Sequence, residues 1–265
     1  MSAPTAKPSG AKAPFFMGWA SKPPKALRPF LWMISALLIG LAAGAALSIS
    51  STVNNPGDGG FVWGQPQKLA GVVQAYPYPL LRLPADADHP EPRTMLLAGQ
   101  GKRGAQKRAE PLNGLAAEAS GVLIKRGDID MLQVGGKIKL RASQGEVNPA
   151  ADSFVPADPV PLGRWKLNGE ICDGKCYQGA MRPGQGLAHK ACANLCLIGG
   201  APPVFVSTAP VDGSVFFLLA DQSGQPLPQD WLLDSTAVSV SLEGEVTRLD
   251  NILIFAVDTS SLQRL

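Results

Sequence analysis

The chain carries no acidic residue ahead of Asp58 and no charge of either sign between Pro29 and Gly57. Five cations, Lys7, Lys12, Lys22, Lys25 and Arg28, precede that uncharged run. They more than account for the formal charge of +3, so the remainder of the chain is close to neutral. A nucleic-acid partner requires a basic face on the folded part, and none is evident. Charged residues (17%) and aromatics (6%) are sparse, whereas glycine (29) and proline (24) are plentiful. That balance disfavours long solvated helices and suits short strands joined by turns. No Ser/His/Asp set, paired catalytic carboxylates or nucleotide loop is visible, so an enzyme is not expected. Covalent haem lacks its C-x-x-C-H, and the leader has no twin arginine of the kind that exports a folded iron–sulfur protein.

What is present first is an anchor. Leu27 to Ile49 is nearly all apolar, and at about 1.5 Å per residue a run of that length spans a hydrocarbon core of about 30 Å. The run exceeds the apolar region of an ordinary signal peptide, so a retained transmembrane helix is expected, with cleavage within AAGAALS as the rival. The basic leader places the N-terminus in the cytoplasm and everything beyond the helix in the periplasm. Phe15, Phe16 and Trp19 suit the inner interface. Ala36, Gly40 and Gly44 recur every four residues, a spacing that lets a second membrane helix approach closely.

Beyond a polar spacer the pattern becomes short apolar runs separated by turn residues: LAGVV, PLLRL, RTMLLA, EASGVLI and DIDMLQV. These read as strands. The pattern then recurs. KLAGVV from Lys68 resembles KLNGEI from Lys166, TMLLAGQ from Thr94 resembles FFLLADQ from Phe216, and SGVLIKRGDIDMLQV from Ser120 resembles EGEVTRLDNILIFAV from Glu243. The expected fold is mainly β: one N-terminal transmembrane helix and two related small antiparallel β-barrels of OB-like type, the second bearing a short cysteine-carrying helix. The expected divisions are a leader (1–28), a helix (29–50), a spacer (51–60), a first β domain (61–147), a proline-rich linker (148–163) and a second β domain (164–265). The basic loop QGKRGAQKR, 100–108, lacks the phosphate-loop spacing and reads as a solvated hairpin tip.

The later spacing between matching segments leaves room for an insertion in the second copy, and that insertion holds every cysteine. Cys172, Cys176, Cys192 and Cys196 form two C-x-x-x-C pairs, with His189 three residues before the second. LAHKACANLCL reads as a helix ended by Gly199, Gly200, Pro202 and Pro203. Cys192 and Cys196 then share a face with Cβ atoms about 5 to 6 Å apart, beyond the roughly 3.5 to 4.5 Å of a disulfide. Each would pair instead with Cys172 or Cys176, or the group would hold a metal. Four thiolates, or three with His189, suit zinc or copper(I), with Met181 as a soft donor; an iron–sulfur cluster is a further option. Thiol–disulfide exchange is the third reading. Asp173 and Lys175 read as parts of a capped turn, and His89 as solvated in an acidic turn.

The string G-E-I-C-D-x-x-C-Y, then H-K-A-C-A-x-x-C, then G-G-x-P-P resembles the motif of a family of small exported bacterial domains over about residues 164–265. The resemblance implies a core of Cys176, His189, Cys192 and Cys196, with Cys172 replacing an apolar position, and implies no activity. Together these features point to an inner-membrane protein acting as an accessory or structural subunit of a larger complex, with a respiratory electron-transfer complex as the expected one. Its partners would be other membrane subunits and not nucleic acid. The alternative is a periplasmic metal- or haem-handling protein.

Overall fold

The computed structural model describes residues 23–52, 57–127, 129–135, 140–143 and 150–265. Lys7, Lys12, Lys22, Phe15, Phe16 and Trp19 lie outside the described residues, as do 53–56 of the spacer and 148–149 of the linker. The chain divides into two units, Met1–Val53 and Asn54–Leu265. In the first, a 3-10 turn leads into α1 (Arg28–Thr52). Its apolar residues point in every direction, and Trp32, Ile39 and Leu47 are largely exposed. A helix that is apolar all round is suited to lipid. The 27-residue stretch Lys25–Ser51, of mean hydropathy 2.2, is long and apolar enough to cross a membrane. Gly40 and Gly44 meet nothing within 4 Å of where a Cβ would stand.

The second unit is built from strands. In chain order they are β1 (Gly60–Phe61), β2 (Gln67–Gln74), β3 (Leu80–Leu83) and β4 (Arg93–Ala98), then a helical turn α2 (Gln106–Ala109), β5 (Ala116–Arg126), β6 (Ile129–Val134) and β7 (Leu140–Ala142). After α3 (Ala150–Ser153) come β8 (Val160–Asp173), α4 (Gly174–Gln178), α5 (Lys190–Ile198), β9 (Pro203–Val211), β10 (Ser214–Asp221), α6 (Gln229–Ser235), β11 (Ser239–Leu249) and β12 (Ile252–Arg264). The linker expected to reach residue 163 ends sooner. Val160 and Pro161 already pair with Arg248 and Thr247 on β11.

Two rings of strands result. β2–β3–β4–β6–β5 returns to β2, and β8–β9–β10–β12–β11 returns to β8. Each is a five-stranded Greek-key barrel of OB-like order, with a helix between the third and fourth strands. The barrels are mixed rather than purely antiparallel. In each, the third and fifth strands run parallel, because the Greek-key return lays the fifth strand beside the third.

The repeat read from sequence holds at the level of single residue pairs. Gly71 opposite Ala117 corresponds to Gly169 opposite Val240. Leu96 opposite Met131 corresponds to Leu218 opposite Ile254, and Gly121 opposite Val134 to Gly244 opposite Val257. The paired glycines have the same cause. A Cβ on Gly71 would stand 2.2 Å from Arg82 O and one on Gly169 2.2 Å from Val206 O, so the neighbouring strand passes where only hydrogen fits.

Alternation along the strands then divides the apolar residues into three cores. Val73, Leu81, Met95, Leu97, Leu132 and Val134 fill the first barrel. The corresponding Ile171, Phe205, Phe217, Leu219, Phe255 and Val257 fill the second, where the three phenylalanine rings pack with centroids 5.7 to 6.2 Å apart. The third core lies between the barrels. Leu80, Leu96, Ala98 and Met131 from the first meet their own counterparts Val204, Leu218, Ala220 and Ile254 from the second. Equivalent surfaces face one another, as they would across a two-fold axis. Arg82 and Asp250 join across this interface in a bidentate ion pair at 2.7 and 3.0 Å, with both side chains buried. Thr94 adds its hydroxyl to Asp250 and takes the Asn251 side-chain oxygen on its backbone N–H.

Gly169→Ala is expected to destabilise the protein by about 2 to 4 kcal/mol, since its Cβ meets backbone on the facing strand and cannot be relieved by a rotamer change. Gly60→Ala, with nothing within 4 Å, is the neutral control. Urea unfolding of the two variants measures the difference.

Candidate metal centre

The cysteine insertion occupies the connection between the first and second strands of the second barrel, where the first barrel has only the short turn Ala75–Pro79. Its entry is set by Asp173, the last residue of β8. The Asp173 carboxylate caps α4 by accepting the Cys176 N–H at 2.8 Å, which satisfies one of the orphan donors of a helix start. The other carboxylate oxygen lies 2.8 Å from His189 Nε2, and both side chains are buried. The aspartate therefore ties the beginning of the insertion to the residue immediately ahead of α5.

α5 is fixed at both ends. Near its start, Lys190 Nζ donates to the carbonyls of Leu233, Asp234 and Thr236, closing the open end of α6. At its end, Gly199 and Gly200 lie against the loop that follows β4 in the first barrel, with Gly104 N–H donating to Gly199 O at 2.7 Å. A Cβ on Gly199 would fall 1.7 Å from Lys102 O, so the two backbones touch there.

This docking assembles a sulfur cluster. Cys192 and Cys196 lie on one face of α5, as the helical spacing requires, and Cys176 projects from α4. The three sulfurs all lie within 4.8 Å of one another, and Cys176 Sγ is 3.9 Å from Cys196 Sγ. All four cysteines are free thiols. A second triad shares Cys176: its sulfur and one ligand atom each of Asp173 and His189 lie within the same mutual distance. Cys172 belongs to neither group. It is buried in the core between the barrels, with Glu170 Oε1 3.5 Å from its sulfur. One residue earlier than Asp173 on an alternating strand, its side chain takes the opposite face. The four cysteines expected to form two crossed bridges or one metal set are thus divided three and one.

No family model, curated protein or solved structure matches the chain.

Two lysines complete the site, and sequence reasoning missed the role of both. Lys102, in the loop expected to be a solvated hairpin tip, extends its Nζ to Cys192 Sγ at 2.8 Å, Cys192 O at 3.2 Å and Cys196 Sγ at 3.5 Å. Lys175 is buried and donates to Gly99 O at 2.6 Å and Gly101 O at 2.7 Å, which holds the same loop in place. The hydrogen bond to Cys192 pushes the Lys102 ammonium above the usual lysine range. A hydrogen bond from Cys176, with the Lys102 charge behind it, draws Cys196 down from the ordinary thiol value, and Cys176 rises correspondingly as the proton holder of the pair. Burial lifts Cys172 well above the thiol range. A Lys-bearing glycine loop in the first repeat, opposite an insertion in the second, was the only sequence signal for Lys102. Asp173 had a better one, a capping residue three positions ahead of Cys176.

Burial draws Lys175 down from 10.5 to about 8. Because its proton is held more weakly when folded, stability is undiminished above the unfolded value, falls as the unfolded chain protonates first, and reaches its full loss near the folded value. The difference in unfolding free energy between the parent protein and Lys175→Met is therefore expected to rise in favour of the parent between pH 8 and 10.5. Denaturant titrations across that window measure it.

Proposed function

We propose that the chain is a membrane-anchored protein that binds a thiophilic metal ion, zinc or copper(I), through Cys176, Cys192 and Cys196. The observation that carries this reading is the mutual approach of the three sulfurs within 4.8 Å. Thiolates select zinc and copper(I) among the available ions, and three of them around one ion leave excess negative charge. The Lys102 ammonium beside two of the sulfurs offsets part of that charge. His189 groups with Cys176 and Asp173 rather than with all three sulfurs. Its Nε2 is occupied by Asp173, the carboxylate–imidazole arrangement that orients a ligating histidine through its other nitrogen. A bound ion would supply a soft Lewis-acid centre; the residues supply a partly buried thiolate cluster with a cation beside it.

The helix Lys25–Ser51 supports an anchor in the bacterial inner membrane, and the basic leader supports a cytoplasmic N-terminus with the barrels in the periplasm. A second reading, an accessory subunit of a larger membrane complex, is favoured by Met181, Leu187, Leu195 and Ile198. These are 45%, 72%, 55% and 54% exposed on the insertion beside the cysteines and offer an apolar surface to a partner. Isolation in mild detergent is expected to return a stoichiometric membrane partner; a lone monomer removes that reading.

The metal reading is tested on the full-length protein purified with its thiols reduced and titrated anaerobically with zinc or copper(I). One ion per chain is expected, with thiolate-to-metal absorption. Cys192→Ser is expected to weaken binding by more than the roughly 10- to 100-fold that follows loss of a ligand's hydrogen-bond partner, and Cys172→Ser to leave it unchanged. Binding that survives Cys192→Ser, or none to the parent, overturns it.

A further inference from the structure

Lys102 approaches the sulfur cluster from the opposite barrel, and its contact with Cys192 is unusually close. Hydrogen bonds between nitrogen and oxygen run about 2.7 to 3.2 Å, and sulfur is the larger acceptor. The 2.8 Å between Lys102 Nζ and Cys192 Sγ is short for a bond to sulfur and matches two atoms that one oxygen could bridge. We propose that Lys102 and Cys192 are the two ends of an oxidatively formed nitrogen–oxygen–sulfur bridge, a reversible covalent link between the first barrel and α5.

Three features of the structure favour this over the usual oxidation products. Cys192 is the only one of the three clustered cysteines that is not buried, so an oxidant reaches it first. A local disulfide is closed to it, because Cys192 and Cys196 stand one helical turn apart with Cβ atoms about 5 to 6 Å apart. Cys176, 3.9 Å from Cys196 and within 4.8 Å of Cys192, leaves one competing disulfide, which the test below distinguishes. The lysine is also held in position. Lys175 fixes the carbonyls of Gly99 and Gly101, and Gly104 is bonded to Gly199, so Lys102 extends from a loop clamped on both sides.

The chemistry balances with dioxygen as oxidant: ammonium and thiolate, R–NH3⁺ and ⁻S–R′, react with O2 to give R–NH–O–S–R′ and one water. Two electrons leave the nitrogen and two leave the sulfur. They reduce both oxygen atoms, one of which stays in the bridge while the other departs with the two released protons. A dithiol reductant reverses the step and returns the amine, the thiol and a second water. Bridge formation withdraws one of three thiolates from the cluster and staples α5 to the loop after β4. Forming the link requires only Lys102, Cys192 and the oxidant, not a metal ion, although it competes with a metal for Cys192.

The test uses the full-length protein in detergent, divided between a reduced sample and one exposed to air, with remaining thiols then alkylated and the chain digested. The expected product is a linked peptide pair joining Lys102 to Cys192, heavier than the sum of its parts by one oxygen less two hydrogens and resolved by dithiothreitol. It should persist in Cys172→Ser and vanish in both Cys192→Ser and Lys102→Arg, the latter keeping the charge so that the fold is not at issue. A Cys192 found in a disulfide, as a sulfinic acid or as an alkylated free thiol, with trypsin still cutting after Lys102, overturns the bridge. A linked pair lacking the oxygen overturns it as well.

Discussion

The structure of the second unit depends on one constraint: each barrel has an apolar outer face that must be covered, and each covers the other's. On β4 the alternation is strict, with Met95 and Leu97 turned into the barrel and Leu96 and Ala98 turned out. The same division holds on β10, where Phe217 and Leu219 are inside while Phe216, Leu218 and Ala220 are outside. A strand that is apolar on both faces cannot be half exposed, so neither barrel is complete alone. The outward face of the second and third strands is also the surface with which OB-type barrels commonly bind their ligands. Here that face is consumed by the pairing, and any binding chemistry is displaced to the connections around its rim.

At that rim the two copies have diverged, and the divergence makes the site. The first barrel keeps a short turn between its first two strands, whereas the second carries the insertion with α4 and α5. Because equivalent faces meet, the insertion of one copy lies against the loop after the third strand of the other. The insertion contributes sulfur, and the loop contributes Lys102. The glycines at the contact, Gly104 and Gly199, permit the approach, since a Cβ on either would meet the other segment's backbone within 2 Å. A buried cation and a buried Asp173–His189 pair in so small a volume would be expensive in an ordinary core. Each is satisfied here: Lys175 by two carbonyls, Asp173 by a helix start and a histidine.

Much of this was legible in the residues. The strands, the duplication, the position of the insertion and the helical face shared by Cys192 and Cys196 all follow from local periodicity and internal comparison, which need no knowledge of tertiary contacts. What was not legible is which cysteines meet. Cys172 and Cys176 look equivalent in a C-x-x-x-C pair, yet the first is still on a strand and the second already on a helix, so their side chains leave in different directions. The change of element between them is signalled only by Asp173 and Gly174. Lys102 was illegible for a different reason. Its sulfur contacts are created by the packing of one repeat on the other, and an exposed loop rich in lysine and glycine shows no partner until that packing is known.

The same packing explains why the basic charge matters more here than its count suggests. An ammonium group at the surface is weakly coupled to any one partner, because water screens it and its side chain is free. Lys102 is anchored through the backbone carbonyl of Cys192 as well as its sulfur, and the loop bearing it is clamped by Lys175 and by Gly104. Its charge is therefore delivered to two sulfurs at a fixed distance, and it lowers the energy of whichever thiolate forms beside it. The Cys176 thiol does the rest by donating to Cys196. A cluster of three neighbouring sulfurs would otherwise resist losing its protons, since each thiolate repels the next. With a cation supplied by one barrel and a hydrogen-bonding neighbour supplied by the other, Cys196 gives up its proton more readily than an ordinary thiol.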